Sequence, residues 1–191
     1  MKTSGAASSP TANCPAPMPH RLALAVQYAV AARTLPVKAA LRRWLRAALE
    51  GNAIVTVRFV GEQESATLNA AFRGKEYPTN VLAFVYDHDP TVIGDLVICA
   101  PVLRREAREQ GKTLSDHCAH LVVHGMLHLQ SYDHDTQRAA QVMEGRETAI
   151  LAGLGVADPY ADGDVAKMDG GRARGDRKPL PPKRPMTTHT S

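Results

Sequence analysis

Aromatic residues are scarce in this 191-residue chain, at 5%. That composition argues against a surface that holds nucleic acid mainly by stacking bases on exposed rings. Cysteine is scarcer still: Cys14, Cys99 and Cys118 are odd in number and form no C-x-x-C pair. That argues against a disulfide framework and makes a reducing cytoplasm the simplest compartment. Long apolar runs are missing too, since nothing approaches the ~20 residues that span a bilayer. Leu22 to Ala32 comes nearest to a secretory core, and Gln27 and Tyr28 interrupt it; no membrane partner is expected.

What remains is enough for one folded domain with tails. The hydrophobic fraction of 44% can supply a core, and the length suits a single unit. Residues 1–20 are rich in Ser, Ala, Pro and Thr and read as a disordered extension. The folded domain is expected over 21–160. From Ala161 to the end, seven basic and four acidic residues carry +3 of the formal net charge of +4. Rich in Gly and Pro, 161–191 reads as a flexible basic tail.

Within the domain the hydrophobic pattern predicts alternating elements. Leu22–Val30 reads as a strand. Pro36–Leu49 reads as a helix with Leu41, Leu45 and Leu49 on one face. Ala53–Val60 alternates as a strand does, and Glu62–Phe72 reads as a helix ending near Gly74. Val81–Tyr86 and Ile93–Cys99 are strands joined by a polar turn through Asp87-His88-Asp89-Pro90. Three helices follow, Pro101–Gln110, Ser115–Leu129 and Thr136–Leu154, with Asp135 as the expected N-cap of the last. Strands first and helices later predict an α+β fold, a small mixed β-sheet packed with helices.

Five of the 8 histidines fall between Ser115 and Asp135: His117, His120, His124, His128 and His134. At about 100° per residue the first four share one face of a helix. His124 and His128 form an i,i+4 pair whose ring nitrogens can converge on one ion. If Gln130-Ser131-Tyr132-Asp133 turns the chain back, His134 closes a trigonal base. Three histidines plus a water is the pattern of a catalytic zinc site, whereas structural sites fill all four positions from the protein. His120–His124–His134 is the weaker alternative, because His120 lies a turn further from the loop. A helix with incidental histidines would have to account for both the i,i+4 pair and the further histidine after the turn. Imidazole ligands suit zinc, with nickel, copper and iron also open. Cys118 lies too far along the axis to join the set and reads as a small buried residue.

The spacing is that of the zinc-peptidase helix H-E-x-x-H, whose Glu is the general base. Here Gly125 follows His124, so peptide hydrolysis by that route lacks its base.

The segment His124-Gly125-Met126-Leu127-His128-Leu129, followed by Tyr132-Asp133-His134, resembles the H-G-x-L-H-L-x-G-Y-D-H signature of the YbeY family. Leu68-Asn69-Ala70-Ala71-Phe72-Arg73-Gly74-Lys75, continued by Pro78-Thr79-Asn80-Val81-Leu82-Ala83-Phe84, resembles a second block of that family. Gly94-Asp95-Leu96-Val97-Ile98 resembles a third, and Asp158-Pro159-Tyr160 the family's usual ending. Ser131 stands where the family has Gly, Val85 where Pro is common, and Asn80 where Asp is frequent. Ser131 bears on the loop, because a positive φ there would suit glycine better.

The resemblance implies a metal-dependent endoribonuclease of ribosomal RNA maturation, acting at the 3′ end of 16S rRNA and in ribosome quality control. It also implies association with the small ribosomal subunit and its maturation factors. His124, His128 and His134 are then the metal ligands, with zinc expected. Arg73 is the expected catalytic residue, its guanidinium suited to phosphate. Lys75 reads equally well as solvated. Thr79 and Asn80 are expected to order the turn before the strand, and Asp95 belongs to a turn or strand edge. Asp133 fits either a partner for a metal-bound histidine or a turn former. Three roles stay open to His120: substrate contact, proton transfer and packing. The basic tail is either simply solvated or attracted to RNA without sequence preference. Two other functions remain at this stage, a metal hydrolase of a non-RNA substrate and a non-catalytic ribosome-assembly factor with a structural zinc.

Overall fold

The computed structural model describes residues 20–160; the expected N-terminal extension and basic tail lie outside them, apart from His20. The elements run β1 (Leu22–Tyr28), α1 (Lys38–Ala47), β2 (Asn52–Val60), α2 (Glu62–Arg73), β3 (Val81–Asp87), β4 (Thr91–Cys99), α3 (Ala100–Glu109), α4 (Leu114–Leu129) and α5 (Gln137–Leu154). The four strands form one mixed sheet in the order β1-β2-β4-β3. β1 pairs with β2, and β2 with β4, in parallel, while β3 pairs with β4 antiparallel. Parallel neighbours need a crossover, and α1 supplies it between β1 and β2. The polar turn after Asp87 closes the β3–β4 hairpin. The α+β architecture with a small mixed sheet is the one the sequence predicts.

Alternation decides the two faces of the sheet. Ala53, Val55, Val57 and Phe59 of β2 are buried in the main core, together with Leu96 and Ile98 of β4 and Leu41, Trp44 and Leu45 of α1. The opposite face carries a smaller cluster, in which Val60, Leu82, Phe84 and Val97 receive Leu68 and Phe72 of α2. There the rings of Phe72 and Phe84 meet edge to face at 4.9 Å.

The centre of the molecule is α4. Every residue from His117 to Leu129 is buried. A helix buried all round is a core helix, and this one packs on β3, β4, α1, α3 and α5. Two glycines let it approach the sheet closely. A Cβ on Gly125 would lie 2.7 Å from Leu96 Cδ2, and one on Gly94 would lie 2.6 Å from both Leu129 Cδ2 and the carbonyl oxygen of Phe84. Each helix–strand contact thus sets a leucine against a bare backbone.

Helix ends depart from expectation in two places. The N-cap of α5 is Thr136, not Asp135: its hydroxyl accepts the Ala139 N–H at 3.2 Å. Pro36 lies before α1, whose N-cap is Val37, and the Pro36 carbonyl accepts the Tyr28 hydroxyl at 2.6 Å. Thr113 caps α4 by accepting the Asp116 N–H.

Candidate metal centre

The C-terminal turns of α4 carry His124 and His128, and the chain then reverses. The Ser131 and Tyr132 N–H groups donate to the carbonyls of His128 and Leu127, both at 3.1 Å. Ser131 adopts a φ of 72°, so the turn that favours glycine is made with serine in it. Asp133 Oδ1 accepts the backbone N–H of His134 at 2.7 Å, the turn-forming role of the two open to it. This brings His134 back over the helix end.

One ligand atom each from His124, His128 and His134 then lies within 4.8 Å of the others. His124 Nε2 and His128 Nε2 are 3.1 Å apart. His128 Nδ1 lies 3.0 Å from the Tyr132 carbonyl. A carbonyl only accepts, so Nδ1 carries the proton and the Nε2 lone pair faces the cluster. His134 Nε2 is sealed from solvent and makes no hydrogen bond. Converging nitrogen lone pairs repel one another unless a cation sits among them, and three imidazoles are a donor set for a divalent transition metal. Burial, followed by the neighbouring His124 and His134, pushes the His128 pKa down to about 3. The ring is therefore neutral at physiological pH, as a metal ligand must be.

His120 is not a member of this group. Its Nε2 lies 3.0 Å from Glu147 Oε1 on α5, and the same oxygen is 3.5 Å from His124 Nδ1. The other carboxylate oxygen, Oε2, accepts the Tyr160 hydroxyl at 2.6 Å. Glu147 is fully buried. Burial alone would raise its pKa, but His120 and His124 hold it well below the usual carboxylate range. His120 is itself pushed down, by burial above all. Further along α4, His117 Nε2 meets Glu106 Oε2 of α3 at 2.9 Å, and Asn80 Nδ2 donates to the same carboxylate.

Sequence reasoning missed Glu147. Its signal was present: Met143, Glu147 and Leu151 recur every four residues and are the buried residues of α5, and a carboxylate on such a stripe needs a partner. Arg73 is the last residue of α2, on the helix that covers the other face of the sheet, and its Nη1 is shut off from solvent. Thr79 and Asn80 hold the chain before β3. The Ser65 hydroxyl bonds both the N–H and the carbonyl of Thr79, and Asn80 Oδ1 accepts the Val81 N–H. Asp95 lies on β4 and accepts the Tyr86 hydroxyl. Cys118 is a fully buried thiol whose pKa burial raises. Among the described residues no helix is long and apolar enough to cross a membrane.

The buried histidines set a pH dependence. The native state keeps His120 and His128 neutral below the usual histidine pKa, whereas the unfolded chain protonates them. Unfolding then takes up protons, so stability falls as pH drops below ~6.5. Glu147 acts in the same direction at lower pH. With chelator present, the thermal midpoint is expected to fall steadily from pH 7 to pH 5; a flat profile contradicts neutral burial of these rings.

The profile of the family described as Endoribonuclease YbeY matches residues 27–155. A relative named Endoribonuclease YbeY from Aromatoleum aromaticum is 56% identical over 144 residues, covering 74% of this chain and 94% of that protein. One of the same name from Alkalilimnicola ehrlichii is 55% identical over 151 residues, covering 73% and 91%. Among solved structures, the solution structure of a Thermotoga maritima protein matches at 26% identity and a TM-score of 0.47, covering 75% of this chain and 99% of that one. The family match spans β2, β3, β4, α4, the turn after it and all of α5, with the last two residues of β1, and on that ground the chain belongs to the YbeY family.

Proposed function

We propose that this protein is a single-metal endoribonuclease in which His124, His128 and His134 hold the ion and Arg73 serves the phosphodiester. One observation carries the reading: three histidine nitrogens converge within 4.8 Å, two of them on buried rings. The relatives' name, Endoribonuclease YbeY, supports RNA as the substrate.

When bound, a divalent ion at such a site polarises a phosphoryl oxygen and lowers the pKa of a bound water toward ~7. The chain's own residues do the rest. The Tyr132 carbonyl fixes the His128 tautomer, and the Ser131–Asp133 turn carries His134 to the helix end. The permanently charged guanidinium of Arg73 stabilises the extra negative charge of the pentacoordinate phosphorus. Gly125 supplies no general base, which separates this chemistry from that of the H-E-x-x-H peptidases.

The ion in this reading is zinc, one per chain, and the compartment is the cytoplasm. The substrate is ribosomal RNA, cut in maturation of the 3′ end of the small-subunit RNA and in ribosome quality control. The small subunit and its maturation factors are the partners. The basic tail over 161–191 adds electrostatic attraction to RNA without sequence preference.

The test is cleavage of ribosomal RNA by purified protein, with product ends mapped in the presence and absence of chelator. Chelator-sensitive cuts are expected, and a cyclic phosphate end would assign the attack to the ribose hydroxyl. Arg73→Ala is expected to keep its metal and lose about 10²–10³-fold in turnover, the usual cost of removing one donor to developing charge. Unchanged turnover removes Arg73 from the mechanism. No cutting by metal-loaded wild-type protein overturns the nuclease reading.

A further inference from the structure

We infer that Glu147 is a positioning residue of the metal centre, fixing His124 as a ligand through Nε2. The inference rests on the three-histidine reading above and extends it to a residue thirteen positions beyond His134 in sequence, on another helix.

His124 has two ring nitrogens, and only one can carry the proton in the neutral ring. Nε2 faces His128 at 3.1 Å, and Nδ1 faces Glu147 Oε1 at 3.5 Å. With an ion taken by Nε2 the ring proton falls to Nδ1, and the atom it then faces is a carboxylate oxygen that only accepts, 3.5 Å away and not yet within a formed hydrogen bond. His128 reaches the same state by another route, with the Tyr132 carbonyl opposite its Nδ1. Metal-ligating histidines commonly give their second N–H to a carboxylate or carbonyl, and this pair uses one of each.

Glu147 is built to stay where it is. Its side chain is fully buried, with His120 Nε2 at 3.0 Å from Oε1 and the Tyr160 hydroxyl at 2.6 Å from Oε2. Tyr160 is held in turn: its N–H donates to Asp158 Oδ1, and the Thr148 hydroxyl of α5 donates to the same oxygen. The Tyr160 ring also meets His120 edge to face at 6.0 Å. His120 thereby acquires a role as a close neighbour of the carboxylate, and the segment after α5 braces the site from outside. A buried anion beside three neutral imidazoles also offsets part of the charge of a divalent ion.

Glu147→Gln keeps the shape and removes the charge. Its amide group can turn an N–H toward His124 Nδ1, favouring the tautomer that protonates Nε2. The experiment is zinc affinity by competition with a chromogenic chelator on the full chain, run on wild type, Glu147→Gln and His128→Ala. Alongside it, two-dimensional NMR of ¹⁵N-labelled imidazoles reads the His124 tautomer in the wild-type protein. Glu147→Gln is expected to weaken zinc binding by about 10–100-fold, with the metal-free protein still folded at the assay temperature. Wild-type His124 is expected to carry its proton on Nδ1 and bind through Nε2. A purely structural role would lower the thermal midpoint without moving the affinity of the folded protein, and unchanged affinity in Glu147→Gln overturns the inference. So does a wild-type His124 bound through Nδ1, an outcome readable even if the variant does not fold. Wild-type affinity in His128→Ala overturns the three-histidine reading and this inference together, whereas its loss there beside an unchanged Glu147→Gln overturns the inference alone.

Discussion

His128→Ala is expected to abolish stoichiometric zinc binding and, with it, RNA cleavage. Structural zinc sites are worth about 10–16 kcal/mol in total. Sharing that among three or four ligands makes one imidazole worth roughly 2.5–5 kcal/mol, about 10²–10⁴-fold in affinity. His128 lies at the strong end of that range because both its nitrogens are committed, Nε2 to the cluster and Nδ1 to the Tyr132 carbonyl. The fold should survive. The lost ring leaves one carbonyl short of a partner, a cost of about 1–3 kcal/mol against a typical total of 5–15. Metal per chain, measured by elemental analysis after gel filtration, should drop from one to nearly none while the circular dichroism spectrum is kept. A variant that retains its metal and its cutting would show that the ligands are wrongly assigned.

Much of this centre was legible because its information is local. An i,i+4 histidine pair is a property of the helix itself, and a third histidine six residues on can meet it through a single turn. The element boundaries near the site follow for the same reason: the predicted Ser115–Leu129 lies within the observed Leu114–Leu129. What was not legible depends on how distant pieces pack. The order β1-β2-β4-β3 is decided by which faces the helices cover, and no strand states its neighbour. Glu147 meets His124 only because α5 folds back on α4. The choice of Thr136 over Asp135 as cap turns on one residue of register, which propensity does not resolve. Ser131 was a departure that could have changed the loop, yet the left-handed turn forms with it, held by N–H donors to the His128 and Leu127 carbonyls.

The buried histidines explain why α4 needs its neighbours as much as they need it. Four imidazoles inside a core are costly unless each finds a partner. Glu106 of α3 bonds His117, the Tyr132 carbonyl bonds His128, and the carboxylate of Glu147 on α5 lies against His120 and His124. Each partner comes from an element packed on α4 or from the turn that ends it. The three-histidine cluster and the helical packing are therefore one arrangement.

Gly125→Glu would write the peptidase sequence H-E-x-x-H into α4, and it is expected to destroy the fold without creating a peptidase. Position 125 does not look toward the histidines. A Cβ there would point at Leu96 of β4, 2.7 Å from Cδ2 and 3.3 Å from Cδ1. Leu96 is itself fully buried in the sheet core, so it has little room to give way. A methyl group alone, in Gly125→Ala, is expected to cost about 1–3 kcal/mol of overpacking, less up to ~1 kcal/mol regained from helix propensity. That variant should fold with a lowered thermal midpoint and keep its metal. The longer side chain adds a carboxylate on the sheet side of the helix, where an uncompensated polar group costs several kcal/mol and a charge more. Together these terms reach the whole stability of a typical domain. Soluble yield and thermal unfolding would check both variants beside a peptide-hydrolysis assay. A folded Gly125→Glu protein that cleaves peptides would place position 125 beside the three histidines after all; a collapsed one leaves glycine as the residue that lets α4 lie flat on its sheet.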